Sequence, residues 1–170
     1  MVSTQVARAL ARNLPVLAVA WAILILAAPW LGAAGSGGGA AWLSAGSYWF
    51  GSLVCHQRPE RSFHLAGAQL PVCARCTGLY VAGALGVLVG WWGVLSRRPI
   101  EFRSWRLPLV LAALPTMVTV AVEWWWPRAT SDALRAAAAA PAGLVAGLLL
   151  AGFAGFRGRL SRCEMTRRND

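Results

Sequence analysis

Four long apolar runs, separated by short polar breaks, constrain this chain more than any other feature. They lie at about 13–31, 74–96, 107–126 and 133–156, each close to the roughly 20 residues a helix needs to cross a bilayer core. Lipid offers the backbone no hydrogen-bond partners, so runs of this kind must form helices that satisfy themselves. With 58% of residues apolar and 13% charged, too little charge is left to coat a soluble domain. The expected fold is all-α: one integral membrane domain over residues 1–170 with four transmembrane helices. Arg8 and Arg12 precede the first run as in a signal peptide. The run is longer than a signal-peptide core, however, and no cleavage site leads into a soluble domain, so it reads as a retained span.

Between the first two runs, Gly32–Gly39 is a Gly/Ala/Ser linker and residues 40–54 form a fifth apolar piece. At about 15 residues it suits an interfacial or re-entrant helix better than a fifth full span, which would instead turn the following polar stretch to the cytoplasmic side. Ala82, Gly86 and Gly90 in the second span, and Gly143 and Gly147 in the fourth, extended by Ala139, Ala151 and Gly155, recur every four residues. Such rows let backbones approach closely. Packing within the bundle is the first reading, and self-association through the same faces is the second.

The net charge of +10 comes entirely from arginine, clustered at the flanks of the apolar runs and not interleaved with aromatics. That pattern argues against nucleic acid and for membrane topology. With four spans, the N-terminal tail, the Arg97–Arg106 loop and the C-terminal tail share one side and hold two, four and five arginines. The other side holds Arg58, Arg61, Arg75, Arg128 and Arg135. The bias places both termini in the cytoplasm of a bacterial inner membrane, with residues 55–73 outside. Trp30, Trp42, Trp49 and Trp124–Trp126 then gather at one interface, and Trp91, Trp92 and Trp105 at the other, as an aromatic belt requires.

Chemistry concentrates between Cys55 and Cys76, where three of the four cysteines and both histidines lie. Cys73-x-x-Cys76 opens the second span, and a thiol at a helix N-terminus is stabilised as thiolate, the form used for metal ligation and disulfide exchange alike. Cys55, Cys73, Cys76 and one histidine, His56 or His64, make the Cys3His set of tetrahedral zinc. A redox reading instead makes Cys73 and Cys76 an exchanging pair with Cys55 as the third thiol. A scaffold reading gives the cysteines only a structural disulfide. Cys163, in the tail, reads as an ordinary reduced thiol. Topology adds Arg75, Glu123, Asp132 and Arg135 from the same ends of the spans, and ionisable residues there are expensive unless paired or functional.

The stretch Cys55-His56-Gln57, Arg61-Ser62-Phe63 and Gln69-Leu70-Pro71-Val72-Cys73-Ala74-Arg75-Cys76-Thr77-Gly78-Leu79-Tyr80 closely resembles the DUF2085 family of predicted prokaryotic membrane proteins. The resemblance extends to an acidic residue in the third span, here Glu123, and to Thr130-Ser131-Asp132-Ala133-Leu134-Arg135 before the fourth. That last run has Asp132 where asparagine is usual and its two hydroxyl residues reversed. The resemblance brings no activity. It implies one site made of Cys55, His56, Cys73, Arg75, Cys76, Glu123 and Arg135, and it prefers His56 to His64. The expectation is thus a lipid-embedded protein with a Cys/His metal site, zinc by preference, at the outer membrane face. Glu123, Arg75 and Arg135 are the candidates for any catalytic role, and whether the chain is an enzyme stays open.

Overall fold

The computed structural model describes residues 2–33, 38–96, 105–126 and 130–169. It contains five helices: α1 (Val2–Ala33), α2 (Gly39–Val54), α3 (Ala74–Leu95), α4 (Arg106–Trp125) and α5 (Asp132–Asn169). Four are long and apolar enough to cross a membrane, over Arg12–Ala33, Ala74–Gly93, Arg106–Trp125 and Asp132–Ala154. α2 is the short fifth helix expected from its length. Between α2 and α3 lie a 3-10 turn, Pro59–Arg61, and a two-residue hairpin in which β1 (His64–Leu65) pairs antiparallel with β2 (Ala68–Gln69).

The end helices outrun the spans read from hydropathy. α1 already begins at Val2 and α5 continues to Asn169, so the basic segments expected as tails are helical in backbone. Arginine is a good helix former and Pro15, Pro29 and Pro141 sit inside helices without ending them. The linker residues 34–37, residues 97–104 of the Arg97–Arg106 loop, Arg128, and the side chains of Cys163 and the C-terminal arginines lie outside the described residues.

α3 and α5 form the tightest contact, and glycine is the reason. A Cβ built on Gly78, Gly86, Gly143 or Gly147 would collide with the carbonyl of Ala136, Leu144, Leu79 or Gly83 on the facing helix. The two helices run parallel, since Gly78 meets Ala136 while Gly90, further along, meets Leu148 and Ala151. Along the described part of both helices the small-residue rows therefore pack against each other inside one chain. α4 returns against α5, where Thr116 Oγ1 donates to the Ala138 carbonyl at 2.9 Å.

α2 folds back along the C-terminal half of α1. Ser44 Oγ donates to the Ala28 carbonyl at 2.8 Å, and the Phe50 ring meets Trp21 edge-on at 5.0 Å. Trp21 in turn contacts Tyr80 of α3 at 5.9 Å. Ile25 of α1 is fully buried with Cys55 and Val72. The chain thus re-enters the bundle beside Ile25, eight residues before the end of α1, or about 12 Å along its axis. The polar stretch is set there, where α3 and α5 begin and α4 ends.

Candidate functional site

Each cysteine is placed by a helix end. Cys55 caps the C-terminus of α2, its N–H donating to Gly51 O at 2.9 Å, and is buried. Cys73 caps the N-terminus of α3, its carbonyl accepting the first helical bond from Thr77 N at 2.9 Å. Cys76 follows one turn on, so its side chain shares a face with that of Cys73. The three sulfurs lie within 4.8 Å of one another, and Cys73 N donates to Cys55 Sγ at 3.2 Å. The Cys76 thiol beside it, together with nearby backbone N–H groups, holds Cys73 down to about 5 against the opposing effect of burial. The arrangement favours the thiolate form at Cys73.

Side-chain amides hold the loop that brings Cys55 to α3. Gln57 takes a left-handed φ of 46°, and its Nε2 donates to Tyr48 O at 2.8 Å and to Pro71 O at 2.6 Å. Gln69 Nε2 donates back to Gln57 O at 3.3 Å, and Tyr48 OH donates to Gln69 O. Burial raises the Tyr48 hydroxyl above its usual range, which keeps it a donor. Leu70, Pro71 and Val72 are fully buried and drive the segment into the bundle. These brace residues escaped the sequence reading, because a glutamine in a polar loop carries no signal beyond polarity.

Beside the thiols sits a buried ion network. Glu123 Oε1 accepts from Arg135 Nε at 2.8 Å and from the Thr130 hydroxyl. Arg75 Nη2 also lies 2.8 Å from Oε1, at ion-pair distance but without the alignment of a hydrogen bond. Arg61 Nη1 is 3.6 Å from Oε2, and Asp132 Oδ1 accepts from Arg135 Nη1 at 2.7 Å. The Glu123 and Arg135 side chains are only 4% and 6% exposed, so neither charge could persist there alone. Ser131 Oγ accepts from Leu134 N at 3.3 Å and starts α5, which delivers Arg135 to the network.

One open cavity of about 350 Å³ joins the two halves. Its walls are Val54, Cys55, His56, Arg58, Arg61, Cys73, Arg75, Cys76 and Arg135. The expected residues are thus largely brought together: three cysteines as one group, Arg75 and Arg135 on the same cavity, and Glu123 behind them. The histidines are not in the thiol group. His56 lines the cavity from an exposed position, while His64 stands exposed on the hairpin and does not line it. Arg61 and Thr130, which touch Glu123, carried no such role in the sequence reading.

Two archaeal proteins share parts of this sequence. An uncharacterised protein of Methanothermobacter thermautotrophicus is 29% identical over 92 residues, 54% of this chain and 78% of its own. An uncharacterised protein of Methanocaldococcus jannaschii is 56% identical over 39 residues, 23% of this chain and 22% of its own. No solved structure matches the chain. The family model described as a predicted membrane protein, DUF2085, matches residues 55–149. That match starts at the first cysteine of the cluster and takes in Glu123 and Arg135. The site and the three spans that build it are what the family model covers, and the chain belongs to the DUF2085 family.

Proposed function

We propose that Cys55, Cys73 and Cys76 bind a thiophilic divalent metal, zinc by preference, with His56 as the fourth ligand. The carrying observation is the convergence of three sulfurs within 4.8 Å from two helix ends far apart in sequence. Tetrahedral Zn–S bonds of about 2.3 Å set the sulfurs roughly 3.8 Å apart, a small contraction of the present spacing. His56 lines the same cavity as the three cysteines and His64 does not, which supports His56 as the fourth ligand. The metal would supply Lewis acidity and fix the loop on α3. Its site belongs at the outer face of the cell membrane, a placement that rests on the arginine bias.

The direct test is elemental analysis and thiol counting on one sample of full-length protein purified without chelator. The proposal expects about one zinc per chain and three protected thiols, with His56→Ala weakening retention against a chelator and His64→Ala leaving it intact. Metal-free protein in which two of Cys55, Cys73 and Cys76 are joined as a disulfide would refute it. A second reading, thiol–disulfide exchange, draws on the proximity of Cys73 and Cys76 and on the thiolate character of Cys73. It expects Cys76→Ser to trap a mixed disulfide at Cys73.

A further inference from the structure

Cations outnumber their partners in the cavity. Arg58, Arg61, Arg75 and Arg135 all line it, while among the described residues the carboxylates that touch them are Glu123 and Asp132. Glu60 is exposed on the 3-10 turn and forms no ion pair among the described residues. A positive charge remains uncompensated in a partly enclosed space. Holding Glu123 in place does not require this many arginines: Arg135, Arg75 and Thr130 all converge on Oε1, and Arg61 stays 3.6 Å from Oε2. Arg58 pairs with no carboxylate among the described residues yet faces the same cavity.

The donors also lack acceptors. Among the described residues Arg75 Nε is buried with no hydrogen-bond partner, and Arg75 Nη2 has only the misaligned contact with Glu123. Leaving a buried charged donor unmet costs free energy; Glu123 Oε2 is itself an unmet acceptor beside it, and an oxyanion entering the cavity would supply acceptors for the guanidinium edge that Glu123 does not engage. Guanidinium groups arriving from the 3-10 segment, α3 and α5 surround an anion from several directions, which matches a tetrahedral oxyanion better than a planar carboxylate. A cavity of about 350 Å³ has room for a small organic group beside it.

We infer that this cavity is a binding site for a phosphate group, presented by a small soluble phosphate ester or by a phospholipid headgroup. Arg75 is the central ligand, and Arg58 and Arg61 form the mouth. The cavity is shared with the proposed metal site, but the inference rests on the arginines and holds with or without metal.

Calorimetric titration of inorganic phosphate and phenyl phosphate into full-length protein, in phosphate-free non-ionic detergent, reads the soluble source. Native mass spectrometry with phosphatidic acid and phosphatidylcholine reads the lipid source. Measurements before and after chelation separate this question from metal binding. Saturable binding in either arm, weakened about tenfold or more by Arg75→Lys and several-fold by Arg58→Gln, supports the inference, because bidentate charged contacts are lost. Soluble-ester binding identifies a solute, and retention of phosphatidic acid alone identifies a headgroup. The Arg58→Gln arm decides the matter if Arg75→Lys fails to fold, since Arg58 is exposed and makes no ion pair among the described residues. No binding in either arm, binding unchanged in Arg58→Gln, or acetate competing as well as phosphate would overturn it.

Discussion

At the residue scale, Glu123 is the pivot. A carboxylate 4% exposed, facing three arginines, is tolerable only because each side neutralises the other. Glu123→Gln leaves buried guanidinium groups uncompensated and should cost about 3–5 kcal/mol. Thermal unfolding in detergent measures this, and Arg75→Gln in the same background should recover part of the loss. Gln57 is the second such residue. Its amide ties the end of α2 to the segment before α3, so Gln57→Ala should cost about 1–3 kcal/mol and loosen Cys55 from Cys73. Faster alkylation of Cys55 than in the parent protein would register that. The acid, the arginines and the cysteines were legible in the sequence, because ionisable and soft side chains stand out in an apolar chain. Gln57, Gln69 and Tyr48 were not, since their importance arises from backbone carbonyls that only the folded loop presents.

At the scale of elements, the four spans were readable from hydropathy to within a few residues, except where α1 and α5 continue into basic sequence. The partner of each helix was less accessible. Glycines every four residues signal a close approach but not to what, and here α3 and α5 supply each other's faces. Gly86→Ala and Gly147→Ala should therefore each destabilise the bundle by about 1–3 kcal/mol, because a backbone must move to admit the methyl group. At Gly46 of α2 no atom lies within 4 Å of an added Cβ, so Gly46→Ala should instead stabilise by about 0.5–1 kcal/mol. Comparing the three unfolding midpoints tests the packing directly. α2 itself was recognisable as short for a full span, yet nothing in its composition says that it folds back along α1 and delivers Cys55 beside Ile25.

At the scale of the whole molecule, the site is made by topology. α1 rises to it, α3 and α5 start from it, and α4 ends at it, so charges and thiols distant in sequence meet at one end of the bundle. The arginine counts support the proposal that this end lies outside, with the termini in the cytoplasm. A C-terminal fusion to green fluorescent protein should accordingly fluoresce, and a C-terminal alkaline phosphatase fusion should be inactive. The reverse pattern would turn the site inward, where stable disulfides are disfavoured and metal binding gains over a structural disulfide. The central claim concerns the three sulfurs themselves. X-ray absorption at the zinc edge on purified, zinc-loaded protein should show three sulfur scatterers at about 2.3 Å and one imidazole nitrogen at about 2.0–2.1 Å. A zinc shell of oxygen and nitrogen only, unchanged when Cys73 is replaced by serine, would contradict it.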